Sequence, residues 1–379
     1  MNHDRFGPIF LVLLLVCATG GVAQDTASRA KQAYARAVEL DANGNNAAAL
    51  SLLWEAAGLA PHDADIQNQL GEALERIGAL DAAVDAFRAA TAERPSFRKA
   101  SNNLILALVK AGKGPEAVER ARAIVNGSPD DPDAHFTLGL AESEQDYTEA
   151  IRSFRRALEL APRHALARYN LALVLNRADR QAEAADELDR AIGIDPRPEM
   201  HYQLGVIYWH QGDLDRAIRA LRAAIAAEPR YAEAHNTLGA LLKARRDWKG
   251  AADALRRAIA LQPDLAAAHY TLAQVLELSG DAGGAREHFT EAERLRAEAA
   301  LVQEAGVWTS VGTQKLDRGD LVAAVDCFRR ATTIFEAYAP AHYQLGRALQ
   351  RLGQADAARR SFARAQQLNP SLIPPGNMP

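Results

Sequence analysis

Apolar residues run along most of this chain as paired helical stripes divided by short polar turns. In residues 198–230, PEMHYQLGVIYWHQGDLDRAIRALRAAIAAEPR, Leu204 and Tyr208 share one face of a predicted first helix, and Ile218, Leu221 and Ile225 share one face of a second. The turn QGD separates them. Its Gly212 suits the left-handed conformation that ends a helix, and Pro229 keeps the second helix from running on. The arrangement then recurs. An aligned alanine stands in each second helix at Ala49, Ala83, Ala117, Ala150, Ala184, Ala217, Ala251, Ala285, Ala324 and Ala358, at steps of 33 or 34 residues apart from one step of 39. Seven residues later comes another alanine (Ile124 in one copy), and five beyond that a proline in eight of the ten copies, from Pro61 to Pro370. The word HYQLG, at 201–205 and again at 342–346, occupies the same place in two copies. Self-similarity at this period marks a stack of helix pairs rather than a set of independent globular domains.

Two further places bear on packing. Gly or Ala at the eighth place of each pair (Gly71, Gly139, Ala172, Gly205, Gly239, Ala273, Gly312, Gly346) lets the paired helices approach closely. A bulky Phe or Leu in the second helix (Phe87, Phe154, Leu221, Phe289, Phe328, Phe362) fills the space beside it. The Leu-Gly pair, the alanines, the Phe or Leu between them and the closing proline resemble the tetratricopeptide repeat, over about residues 30–372. The resemblance implies an all-α fold, a solenoid of about ten helix-turn-helix repeats wound as a right-handed superhelix. Repeats 1–8 would take 30–299 and repeats 9–10 would take 305–372, with a helical insertion at 300–304. Departures are visible: the family's Trp at the fourth place is usually His here (His135, His201, His235, His269, His342), and Ile105 sits where a small residue is wanted. Repeat 1, with Arg36 where other repeats have Leu, reads as a cap. The stretch EAERLRAEAALVQEAG at 291–306 contains no helix breaker and is expected to continue as helix, changing the angle between repeats 8 and 9. The Pro-rich tail, 373–379, is too short for a further covering helix. That leaves the last helix to expose Phe362 and Leu368 or to bury them in a second copy, a homodimer through the C-terminal end.

Composition narrows the function. Lys plus Arg number 44 against 48 Asp plus Glu, a formal charge of −4, which lacks the basic excess of a nucleic-acid binder. The first residues differ from the rest: Arg5 precedes an apolar run from Ile9 to Ala18, and Gly21 and Ala23 stand where a signal peptidase would cut before Gln24. The run is about half the length of a spanning helix, so 1–23 is expected to be a cleaved signal peptide, with no membrane span in the mature chain and an exported, periplasmic or secreted location. Cys17 would be a lipoprotein anchor instead, but Val16 before it does not suit one. After cleavage only Cys327 remains, so packing rather than an internal disulfide must hold the fold.

Catalytic chemistry is not expected. Five of the ten histidines fall at one place of a repeated helix, which the repeat itself explains. The aspartates of SPDDPDAH at 128–135 lack the glycine and terminal glutamate of a calcium loop and read as helix capping. No metal and no cofactor is implied. The resemblance places the first helix of every repeat on a concave groove, with places 2, 5, 6, 9, 12 and 13 facing it. Places 5, 9 and 12 form one stripe, carrying Phe136 and Leu140, then Tyr169 and Leu173, then Tyr202, Val206 and Trp209, with Leu106 in the repeat before. Place 6 adds polar residues suited to a peptide backbone, among them Asn103, Asn170 and Gln203. These eleven residues are the expected partner-binding set. No repeat has a basic residue at place 5, unlike the clamp that grips acidic chaperone tails, and place 6 lacks a continuous asparagine ladder. The expected function is a non-catalytic scaffold holding a protein or peptide segment. The alternatives are a structural component acting through self-association, and an enzyme with an unrecognised site.

Overall fold

The computed structural model describes residues 9–370 and 372, with side chains from residue 25 onward. The first eight residues of the expected signal peptide and the tail 373–379 lie outside it, as do the side chains of Cys17, Ala23 and Gln24. The chain divides into two units, one of Met1–Lys113 with Ala305–Pro379 and one of Gly114–Glu304. All regular structure among the described residues is helical. The first unit contains α1 (Ile9–Ala42), α2 (Asn46–Leu59), α3 (Ala64–Arg76), α4 (Leu80–Glu93) and α5 (Arg98–Lys110). The second contains α6 (Gly114–Gly127), α7 (Pro132–Glu142), α8 (Tyr147–Leu160), α9 (Ala165–Arg177), α10 (Gln181–Ile192), α11 (Pro198–His210), α12 (Leu214–Ala227), α13 (Ala232–Ala244), α14 (Trp248–Leu261) and α15 (Ala266–Leu278). Then α16 (Ala282–Asp317) runs uninterrupted for 36 residues, followed by α17 (Leu321–Ile334), α18 (Ala339–Arg351) and α19 (Ala355–Leu368). Among the described residues no helix is long and apolar enough to cross a membrane.

Within each unit, helices pack as antiparallel neighbours in sequence order, α3 on α4, α7 on α8, α9 on α10, α11 on α12, α13 on α14 and α18 on α19. The glycine at the eighth place explains how close they come. A Cβ built on Gly139 would lie 2.7 Å from the Phe154 ring, and one on Gly346 would lie 2.7 Å from Phe362. The bulky residue of the second helix therefore rests on the bare backbone of its own repeat's first helix. Phe87, Phe154, Leu221 and Phe328 are fully buried this way, each removing apolar surface worth roughly 1.5–3 kcal/mol. Phe362 corrects the sequence expectation. It is buried against Gly346 and the edge of Tyr343, 5.6 Å away, so the last helix exposes no aromatic ring for a second copy.

Helix ends are fixed by side chains. Asp131 accepts from the Asp133 N–H at 2.9 Å ahead of Pro132 at the first turn of α7, the capping reading of the SPDDPDAH stretch. Turns that need a left-handed residue have Gly212 (φ +78°) in one repeat, but Asp179 (φ 59°) and Arg246 (φ 62°) at the equivalent place in others. The histidines at the fourth place also have a task. Nε2 of His135, His235, His269 and His342 reaches the carbonyl six residues back, at Pro129, Pro229, Pro263 and Glu336, over 2.7–3.2 Å. Gln67 and Arg168 make the same tie, to Pro61 and Pro162. Each tie gives a partner to a carbonyl in the turn just past the second helix, so these side chains belong to the joint between repeats.

Candidate functional site

The second unit brings seven of the expected residues to equivalent places on three successive first helices. Phe136 and Leu140 lie on α7, Tyr169 and Leu173 on α9, and Tyr202, Val206 and Trp209 on α11. All are half-buried except Trp209, which is 38% exposed. Their inner edges rest on the hydrophobic core, where Phe136, Leu140, Tyr169 and Tyr202 pack against it. Two of these place-5 rings also lean toward the residue capping the next first helix. The Phe136 ring centroid is 4.8 Å from that of His164, and Tyr202 is 5.2 Å from Tyr231. Burial raises the Tyr169 hydroxyl above its ordinary range, with the Glu199 carboxylate adding to it.

The polar members of the set behave differently. Asn170 turns its amide back to the Leu166 carbonyl of its own helix at 2.8 Å. Gln203 is half-buried on α11. Asn103 and Leu106 belong to the first unit, where the Asn103 amide donates to Asn68 Oδ1 at 3.0 Å and to Glu72 Oε1 at 2.9 Å. Asn103 thus engages its amide within the chain, and Asn170 commits one N–H to its own helix.

Sequence reasoning missed a group beside Tyr202. A cleft of ≈ 470 Å³ is lined by Glu199, Glu228, Arg230, Tyr231, Ala232, Glu233, Leu261 and Gln262. The Tyr231 hydroxyl is pushed far up by burial, with the neighbouring Tyr202 phenol and the Glu233 and Glu199 carboxylates adding to it. Glu199 and Glu233 occupy place 2 of consecutive repeats, a groove place by the resemblance, so the signal was present; reading only places 5, 6, 9 and 12 passed it over. Tyr231 lies in the turn, outside the helical register. A second cleft of ≈ 420 Å³ over α8, α9 and α10 contrasts with it, because its charges pair among themselves: Arg155 with Glu183 at 3.0 Å, Arg168 with Glu187 at 2.6 Å and Arg190 with Glu187 at 2.8 Å. Among the described residues there is no group of three or more His, Cys, Asp or Glu placed to hold a metal ion.

Comparison with known proteins agrees with this geometry. A family model described as tetratricopeptide repeat matches residues 34–96, 141–199, 202–264 and 237–300, and a second model of the same description matches 339–372. Among solved structures, a tetratricopeptide repeat protein from Parabacteroides merdae is similar at 17% identity and TM-score 0.52, over 66% of this chain and 99% of that one. A thermophilic TPR protein from Thermus thermophilus is 22% identical over 47% of this chain and 98% of its own, with TM-score 0.43. YrrB, a TPR protein with an unusual peptide-binding site, is 19% identical over 47% of this chain and 93% of its own, with TM-score 0.42. At these identities the likeness is one of fold.

Proposed function

Because the chain belongs to the tetratricopeptide repeat family, we propose that it is a protein–protein interaction scaffold without chemistry of its own, exported to the cell envelope or beyond. An extended partner segment lies across α7, α9 and α11 against Phe136, Leu140, Tyr169, Leu173, Tyr202, Val206 and Trp209. One observation carries this reading: three successive first helices of one unit present large apolar side chains that the core covers on one edge only. Half-covered aromatics are the usual anchors of an interface, since binding removes the remaining surface from water. The self-association alternative loses the exposed ring it started from, because Phe362 is buried.

The test is capture of a partner from an envelope extract of the source cells by immobilised full chain, beside the triple variant Y169A/Y202A/W209A. The variant should remain helical and lose the partner by at least about tenfold in affinity. Equal capture by a folded variant would move the site elsewhere on the chain. Export is checked by the intact mass of the envelope-fraction protein. A chain starting at Gln24 supports it, and one retaining residues 1–23 counts against cleavage.

A further inference from the structure

Four aromatic rings among the described residues lie under an arginine of the same chain: Tyr270 under Arg296 at 4.4 Å, Tyr208 under Arg216 at 4.5 Å, Trp308 under Arg330 at 4.0 Å and Phe97 under Arg94 at 4.7 Å. Tyr270 is instructive because it occupies place 5 of its repeat, the place that Tyr202 occupies two repeats earlier. Tyr202 instead has Tyr231 at 5.2 Å and the carboxylate-rich cleft beside it.

Many acidic side chains of this chain are paired with an arginine, as Glu183, Glu187, Asp213 and Glu291 are. Among the described residues Glu199 and Glu233 have no such pair, and Glu228 accepts from the Arg230 backbone N–H at 3.1 Å. The lining thus holds three carboxylates against the single cation of Arg230, next to two phenol rings tilted at 44° to one another. A guanidinium suits this site well. Its flat face stacks on an aromatic ring, and its edge donates to carboxylates.

We propose that this cleft receives an arginine side chain of the partner segment, its guanidinium laid against the Tyr202 and Tyr231 rings and paired with Glu199 and Glu233. The inference rests on the groove reading above and adds to it the chemistry of one anchor. The segment that lies across α7, α9 and α11 carries an arginine at its α11 end. Arg296 on Tyr270 is the intramolecular version of the same contact, at the equivalent place of a later repeat.

The experiment is selection of random displayed dodecapeptides on the immobilised full chain, sequenced beside the same selection on E199Q/E233Q and on the charge-reversed E199K/E233K. Both glutamates are exposed, so the variants should melt as the wild type does, which a thermal melt verifies. Peptides bound by the wild type should be enriched in arginine by about tenfold over the library, and less so in 1 M salt. The enrichment should vanish on E199Q/E233Q while apolar preferences persist, and turn toward Asp and Glu on E199K/E233K. Bound peptides without arginine enrichment, enrichment of lysine and arginine alike, or enrichment that E199Q/E233Q leaves intact would each overturn the arginine site, with the groove reading still standing. Failure of the wild type to retain any peptide would overturn both.

Discussion

Equivalent places of the repeat are used in opposite ways on α3 and α5 and on α7, α9 and α11. On the first pair, Asn68, Glu72 and Asn103 close on one another, with Asn68 donating to Glu72 at 2.9 Å and Lys99 pairing with Glu72 at 2.7 Å. On the other three, the place of Asn68 holds Phe136, Tyr169 and Tyr202 and that of Glu72 holds Leu140, Leu173 and Val206, all half-covered. The backbone and packing are the same; what differs is whether the side chains have already found their partners. Asn68, Glu72 and Asn103, already bonded to one another, offer a ligand little, because each bond to the ligand must replace an existing one. A wall of half-buried rings gains from being covered.

The comparison can be broken at its common base. Gly71→Val and Gly139→Val each drive a side chain into a fully buried ring, Phe87 and Phe154, that already lies within 2.5–2.7 Å of a Cβ built on the glycine. Both should cost about 3 kcal/mol, the upper range for overpacking, and lose protection of the local helix pair in hydrogen exchange. Similar losses in both regions would show that the scaffold is shared; a loss at Gly139 alone would deny it. Asn103→Ala sharpens the contrast from the other side. It removes two bonds to partly buried partners and should lower stability by about 1–2 kcal/mol, while leaving capture of a partner by α7, α9 and α11 unchanged. Weaker capture would mean that the satisfied wall also binds.

Acid should act on the second unit through its histidines. Burial holds His201, His235 and His288 below their ordinary value, with His269 adding to the effect at His288. The unfolded chain therefore takes up protons that the folded chain resists. The stabilising contribution is present above roughly pH 6.5, the ordinary histidine value, and is lost as pH falls from there through the lower folded values. His235→Gln should keep the tie to Pro229, as Gln67 keeps its tie to Pro61 in the first unit, and should flatten the fall in melting temperature between pH 7.5 and 5.5. An unchanged slope would remove His235 from the account. The smallest effect is expected at Arg246, where a side chain occupies the left-handed turn conformation that Gly212 serves. Arg246→Gly should raise stability by a few tenths to about 1 kcal/mol, since relief of the left-handed strain is partly offset by glycine's greater entropy in the unfolded chain.

Most of the fold was legible because it depends on local and periodic signals. The glycine opposite Phe154, the proline after each second helix and the unbroken run through 291–306 all act within a few tens of residues, and a repeated pattern shows which departures matter. The candidate site was legible only in part. Aromatics at place 5 could be read, because side-chain direction follows helical register. That Asn103 would turn to Glu72, or Asn170 to Leu166, could not, since an amide's choice among acceptors depends on distances that periodicity does not encode. Tyr231 escaped for a related reason, as a turn residue has no helical register to reveal what it faces. Phe362 was misread by treating the end of the chain as the end of the packing, when its contacts are with Gly346 and Tyr343 in its own repeat.

The tie from the fourth place to the carbonyl six residues back also bears on how such a chain changes over evolutionary time. Donor and acceptor both lie within one joint, so a duplicated block of 34 residues carries a complete fastening with it, and a deletion in register leaves none half-made. His, Gln and Arg all serve, so the position can drift through codon changes without passing through an unfastened intermediate. The array can thus lengthen, shorten and diversify its inner face while the joints stay closed.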